Sequence, residues 1–251
     1  MSLSKFLYAW AVRRKKMSAS WANATSINLT SGVDNVETPD DSTLDLTTKM
    51  TLSFWMRVPD GFGANQTVFS KWLRNTQNVW RIFWPTATSL SCYIASSLTD
   101  VGANRGNINM TGVTADEWHH IAWVYDGDGA ANADRLKGYL DGVEQSLTFN
   151  GTIPATLLNG SSNVIAGSDD NNSLYFDGLI DEPAIIRRAL TGAQITALYN
   201  SGLPEDLSDE ADLEMWWRGD GDTLPAILDH AKTNNGTATA GVALSTNIPG
   251  S

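Results

Sequence analysis

The sequence contains a single cysteine, Cys92, and only three histidines among its 251 residues. One cysteine cannot form an internal disulfide bond, so a hydrophobic core must hold the fold together. One cysteine and three histidines are also too few for a convincing zinc cluster. No glycine-rich phosphate loop is present, and no serine or cysteine stands in a nucleophile motif. These absences argue against disulfide scaffolds, zinc proteins, nucleotide-binding enzymes and triad hydrolases.

Basic residues are scarce and unevenly placed. Five of the 17 Lys and Arg residues precede Asp34, the first acidic residue, so residues 17–251 carry twelve basic against 28 acidic residues and a net charge of −16. An acidic body of this kind argues against nucleic acid as the main ligand. No apolar run is long enough to span a bilayer. The short run from Phe6 to Val12 precedes its basic cluster, which is the reverse of a secretory signal.

The first 22 residues are predicted to form a basic N-terminal arm, separate from the body. The residues expected to make its assembly contacts are Phe6, Trp10, Arg13, Arg14, Lys15 and Lys16. Three interpretations remain open for the arm: docking on another subunit, a solvated tail, and a contact with a membrane surface or nucleic acid. The first interpretation predicts a homo-oligomer or a larger assembly of several subunits.

Residues 23–251 are predicted to form one all-β domain. Apolar and polar residues alternate through Leu52 to Val58, and turn dipeptides such as Asp141-Gly142 recur along the chain. One short helix is expected after Thr191, which can form a capping box with Gln194. Residues 205–251 are too few for a second domain, so we expect them to fold back and complete the same one.

Four stretches resemble, in order, the signatures of a known family. They are the opening strand and turn at 26–36, TLSFWMRVP at 51–59, the Trp-His-His strand and hairpin at 118–142, and DGLIDEPAIIRRALTGAQITALYNSG at 177–202. Together they resemble laminin-G-like domains of the concanavalin A-like lectin and glucanase type. The resemblance implies a two-sheet antiparallel jelly-roll sandwich with one short helix in its C-terminal half. The polar insertion at 128–134 is expected to be a surface loop.

The Trp-rich stretch from Leu213 to Asp222 is similar to a closing segment of laminin-G-like proteins from tailed-phage virions. This similarity implies a non-catalytic structural or decoration protein of a phage capsid or tail, bound to other virion subunits and able to bind a cell-surface or environmental glycan. Two alternatives stay open: a secreted, extracellular carbohydrate-binding module, and a laminarinase-type glycoside hydrolase. All of these assignments rest on analogy with the family.

The resemblance also implies a structural calcium ion. In calcium-binding jelly rolls of this type, an acid of the penultimate strand supplies ligands together with the turn after the first strand. The matching positions are Asp181 and the turn from Gly32 to Asp34. Mixed carboxylate and carbonyl oxygens are the ligands that Ca²⁺ prefers. The alternative is that Asp181 is held by hydrogen bonds alone.

Tryptophan is abundant, with ten residues, and four of them are candidates for carbohydrate binding. They are Trp55, Trp80, Trp84 and Trp123, which could lie on an open sheet face. Indole faces bind sugar rings through apolar contact, while polar neighbours fix the orientation. The alternative is that these rings pack between the sheets.

Glu210, Asp212 and Glu214 have the spacing of the laminarinase-type catalytic motif. In an extended strand this spacing would place all three carboxylates on one face. The surrounding run is acidic and contains Ala211 in place of a bulky residue, which favours a solvated charged segment. We therefore assign no catalytic residue and expect no hydrolysis of polysaccharides.

Overall fold

The computed structural model describes residues 22–251 except 31, 101, 103, 112 and 172. The predicted arm contacts from Phe6 to Lys16 lie outside these residues. The strands in the described part are β1 (Ser26–Leu29), β2 (Val36–Thr38), β3 (Lys49–Arg57), β4 (Gln66–Leu73), β5 (Gln77–Thr86), β6 (Ser89–Ile94), β7 (Arg105–Asn109), β8 (Trp118–Asp126), β9 (Leu136–Leu140), β10 (Val143–Gln145), β11 (Thr148–Asn150), β12 (Val164–Ala166), β13 (Gly178–Ile186), β14 (Leu213–Trp216), β15 (Ala226–Ile227), β16 (Gly236–Ala238) and β17 (Ala243–Ser245). The helices are a 3₁₀ turn (Ser42–Leu44), α1 (Asn132–Arg135) and α2 (Gly192–Tyr199).

The strands form two antiparallel sheets, which confirms the predicted all-β sandwich. The first sheet has the order β10-β9-β8-β3-β13-β1-β17, with β14 also paired to β13, and the second has the order β11-β7-β6-β5-β4-β12-β2-β16-β15. Strands β14 and β17 lie in the first sheet, and β15 and β16 lie in the second. The segment after residue 205 therefore contributes strands to both sheets.

The alternation seen in β3 separates an inner from an outer face of the first sheet. Leu52, Phe54 and Met56 belong to the core that both sheets share, whereas Trp55 points away from it. A second apolar cluster covers that outer face, where Ile195 and Leu198 of α2 pack on strand residues of the first sheet. Helix α2 therefore occupies part of the outer face of the first sheet.

The capping box at the start of α2 forms as predicted. Thr191 N donates to Gln194 Oε1 at 2.9 Å, and Gln194 N donates back to Thr191 Oγ1 at 3.4 Å. The expectation of a single helix was wrong, because α1 begins within the insertion at 128–134. The insertion does lie at the surface, as predicted. Asp134 accepts a hydrogen bond from Ala131 N at 3.0 Å, which satisfies a free amide at the start of that helix. In the described ranges, no helix has the length and apolar character needed to cross a membrane.

Candidate functional site

A cleft of about 410 Å³ lies on the outer side of the first sheet, where β3 ends and β8 begins. We call it the Trp118 cleft. Its lining residues are Trp55, Arg57, Asp116, Glu117, Trp118, Tyr199, Gly202, Asn247, Gly250 and Ser251. They come from the end of β3, the turn before β8, the end of α2 and the segment after β17. Long-range folding therefore assembles the cleft from four separate parts of the sequence.

Tyr199 lies in the cleft with its ring supported from below. Its ring stacks on Trp55 at a centroid distance of 5.7 Å and an interplanar angle of 27°. Trp55 is only 3% exposed and also contacts the ring of His120 at 5.2 Å. Trp55 therefore fixes the position of Tyr199, and the half-buried Tyr199 is the ring that a ligand in the cleft can reach.

Trp118 supplies a second aromatic ring to the cleft, and it is also half-buried. Its indole Nε1 donates a hydrogen bond to Asn247 Oδ1 at 2.8 Å. Asn247 N in turn donates to Ser245 Oγ at 3.1 Å, which ties this contact to β17. The indole is thus held in one orientation before any ligand arrives, as a binding site requires.

The polar side of the cleft is formed by one arginine and two acids. Arg57 Nε donates to the carbonyl of Asp116 at 2.9 Å, and Arg57 Nη2 lies 3.0 Å from Asp116 Oδ1. Asp116 has a φ of 62°, a left-handed conformation that Asp tolerates better than most residues. Glu117 follows and is exposed. The cleft therefore combines aromatic rings with exposed carboxylates that can accept hydrogen bonds.

Three of the four tryptophans predicted to bind sugar lie elsewhere. Trp80, Trp84 and Trp123 belong to the core shared by the two sheets, with exposures of 2%, 3% and 1%. Rings packed in this way expose almost no surface to a sugar, so their positions correspond to the packing alternative. Trp118 was not predicted as a site residue, because the Trp-His-His stretch was used only as a family signature. Trp118 is the first residue of its strand, and this position was the sequence feature that could have indicated an exposed ring.

Asp181 lies inside the protein rather than at a rim. It is 0% exposed, its Oδ2 accepts a hydrogen bond from Asn23 Nδ2 at 2.7 Å, and its Oδ1 accepts one from Glu182 N at 3.0 Å. Burial raises the pKa of Asp181 well above its usual value. Glu182 has a φ of 53° at an irregularity between β13 and β3, and burial followed by repulsion from Asp181 also raises its pKa.

Arg218 places a cation beside these two acids. One of its Nη atoms lies 2.6 Å from Asp220 Oδ2 and 3.1 Å from the carbonyl of Ala22, and its Nε lies 3.6 Å from Glu182 Oε1. Asp220 Oδ1 also accepts hydrogen bonds from the amides of residues 24 and 25, both at 2.7 Å. The guanidinium therefore lies between two carboxylates and connects the N-terminal end of the described chain with the segment after β14.

The other predicted calcium ligands lie beyond the far end of β1. Leu29 pairs with Gly178, which is three residues, or about 10 Å along the strand, from Asp181. Asp34 is buried beside Gly167, and Gly32 lies in an open turn. The structure therefore brings Asp181 together with Asn23 and Glu182, a geometry that corresponds to the hydrogen-bonded alternative. Over the described residues, no three or more His, Cys, Asp or Glu side chains group so as to hold a metal ion.

The three acids with laminarinase-type spacing do not share a strand face. Asp212 has a φ of 60° in a turn, and β14 begins only after it. The expectation of a solvated segment was wrong for Glu214, which is 2% exposed and lies 2.6 Å from Arg187 Nε. Glu214 also pairs with Lys232, and Glu210 pairs with Arg188. The turn breaks the alternation that a catalytic arrangement on one strand would need.

Comparison with known proteins agrees with this architecture. The chain is similar in structure to a candidate carbohydrate-binding protein from Bacteroides ovatus, with a TM-score of 0.67, 17% identity, and coverage of 91% of this chain but only 62% of that one. It is also similar to the heptameric SAP-like pentraxin of Limulus polyphemus, with a TM-score of 0.53, 12% identity, and coverage of 89% and 95% of the two chains. At these identities the likeness shows the fold alone.

At the level of sequence, no curated protein matches the chain. A family model does match, over residues 30–196, and its description is the concanavalin A-like lectin/glucanases superfamily. The match spans about two thirds of the chain. It contains two of the four signature stretches in full, 51–59 and 118–142, and most of the other two. This chain belongs to the concanavalin A-like lectin/glucanase superfamily.

Proposed function

We propose that this chain is a non-catalytic glycan-binding module that holds sugar in the Trp118 cleft. The observation that supports this most directly is the pair of half-buried rings, Trp118 and Tyr199, each held in a fixed orientation beside exposed carboxylates. Fixed aromatic faces bind the apolar faces of sugar rings, and carboxylates accept hydrogen bonds from sugar hydroxyls. Pre-organisation lowers the entropic cost of binding. The likeness to a candidate carbohydrate-binding protein supports the same assignment.

The absence of hydrolysis is part of this proposal. The carboxylates of Glu210 and Glu214 are held by cations, and Asp212 lies in a turn between them. A retaining glycosidase needs two carboxyl groups about 5–5.5 Å apart across a substrate cleft. We therefore expect sugar to be bound and released unchanged, with no reducing ends produced from laminarin or other polysaccharides.

Replacement of Trp118 by alanine should lower glycan affinity about tenfold or more, because the cleft loses a sugar-stacking face. Tyr199→Ala should have a similar effect. The measurement is a glycan array followed by calorimetric titration of the best ligand. Phe149→Ala, which alters a half-buried ring on the second sheet, is the matched control and should leave affinity unchanged. Equal affinity of the wild-type and Trp118→Ala proteins would place the glycan site elsewhere.

We also propose a more specific role for this glycan-binding module, as a capsid or tail component of a phage particle. It is supported by the similarity of the stretch from Leu213 to Asp222 to virion proteins and by the basic composition of residues 1–22. A secreted carbohydrate-binding module is the alternative. Neighbouring genes for capsid and tail proteins would favour the virion, and their absence would favour the secreted module.

Deletion of residues 1–20 should leave the folded domain intact and abolish incorporation into its assembly. Among the described residues, the carbonyl of Ala22 accepts a hydrogen bond from Arg218, and this contact survives the deletion. Cooperative thermal unfolding measures the first effect, and co-purification with particles or oligomers measures the second. Loss of cooperative folding in the truncated chain would contradict a separate arm.

We retain a structural calcium ion at Asp181 as a further proposal. A ligand that binds only the folded state stabilises it by about 2.7 kcal/mol at a hundredfold excess over its Kd. If calcium binds there, a chelator should lower the Tm, and Asp181→Asn should remove that response. An unchanged Tm in chelator, with no metal found by elemental analysis, would leave the hydrogen-bonded role of Asp181.

A further inference from the structure

The charge of the Trp118 cleft points to the class of sugar that it takes. Glu117 and Asp116 are both exposed in the lining, and the side chain of Asp116 has 53% of its surface accessible. Arg57 is the cation among the described lining residues. Its side chain contacts Asp116 at two points, the carbonyl at 2.9 Å and the carboxylate at 3.0 Å. The lining therefore carries a net negative charge, and its arginine is engaged within the protein.

The neighbouring histidine, His119, does not contribute to the charge of the cleft lining. His119 follows Trp118 on β8 but is not among the lining residues, and its Nδ1 lies 2.9 Å from Asp141 Oδ2. The amide oxygen of Asn247 is occupied by the indole of Trp118. Glu117 and Asp116 thus place exposed carboxylate oxygens in the cleft, and these accept hydrogen bonds but cannot donate them when ionised.

We propose that the Trp118 cleft selects uncharged, hydroxyl-rich sugars over sugars that carry a carboxylate or sulfate, an inference that rests on the proposed glycan-binding function. A hydroxyl group donates to Glu117 or Asp116, whereas an anionic group placed there meets like charge without a free cation to pair with. The net charge of −11 on the whole chain repels acidic glycans further at low ionic strength.

The test is a glycan array that contains matched pairs, in which a neutral oligosaccharide is printed beside its sialylated, sulfated or C6-oxidised form. We expect the wild-type protein to bind neutral members at least tenfold more strongly than their acidic partners in low salt, and the ratio should shrink in high salt. Glu117→Lys should reduce the ratio at least threefold. Asp209→Lys makes the same change in net charge at an exposed residue outside the lining and should leave the ratio close to that of the wild type.

Equal or stronger binding of the acidic partners would overturn the selectivity while leaving the glycan-binding function in place. An identical ratio in Glu117→Lys and Asp209→Lys would likewise show that the cleft carboxylates do not select the sugar. If the folded wild-type protein binds no glycan on the array, the proposed function itself fails. The three results are distinguishable, because only the last one removes binding of neutral members.

Discussion

Trp217→Ala is expected to lower the free energy of unfolding by about 3–5 kcal/mol, the usual cost of removing a large buried aromatic side chain. Trp217 is 0% exposed, and its indole Nε1 donates to the carbonyl of Asn234 at 2.8 Å. Gly236 packs against the same ring, where an added β-carbon would come within 3.2 Å. Because domains of this size are stable by only about 5–15 kcal/mol, the loss should be a large part of the total.

The measurement is equilibrium unfolding in urea, with the slope of the transition compared between variants. The neighbouring residues Ile227 and Leu228 give a matched control in the same segment, since their exposures are 0% and 48%. Ile227→Ala should cost about 2–5 kcal/mol, and Leu228→Ala should stay within about 0.5 kcal/mol of the wild type. A cost below about 1 kcal/mol for Trp217→Ala would mean that residues 205–251 are not an integral part of the domain.

Acidification from pH 7 to pH 4 should cost about 3 kcal/mol of stability at His120 alone. His120 is 1% exposed and lies between Ser53, whose Oγ is 2.9 Å from Nε2, and the ring of Trp55. Burial lowers the pKa of His120 from 6.5 to about 4. Below pH 6.5 the unfolded chain binds a proton that the folded chain does not accept, so this contribution is complete above pH 6.5 and is lost as the pH falls.

His119 provides the matched control, because its pKa moves in the opposite direction. The hydrogen bond to Asp141 raises the pKa of His119, so its contribution is present below pH 6.5 and is lost as the pH rises through the folded pKa. Denaturant titrations at several pH values should show a shallower loss on acidification for His120→Gln than for the wild type. His119→Gln should show a steeper one. If the stability of His120→Gln falls with pH as steeply as that of the wild type, His120 is not held neutral by burial.

Local sequence determined the features that depend on neighbouring residues. The alternation of Leu52, Phe54 and Met56 was sufficient to predict β3 and its inner face, since successive side chains of a strand point to opposite sides. The Thr191 capping box was predictable because both of its partners lie within one helical turn. The family signatures then fixed the two-sheet architecture, which the sheet order bears out.

The tertiary structure decided which of these side chains a ligand can reach. Alternation assigns Trp55 to the outer face of its sheet, but only the position of α2 shows that Tyr199 covers it. Trp118 reaches solvent because its strand starts at a sheet end, and its orientation depends on Asn247, 129 residues away. The laminarinase-type spacing failed as a guide because one left-handed residue, Asp212, breaks the strand. Exposure, distant hydrogen bonds and backbone reversals all depend on the packing of segments that are far apart in sequence.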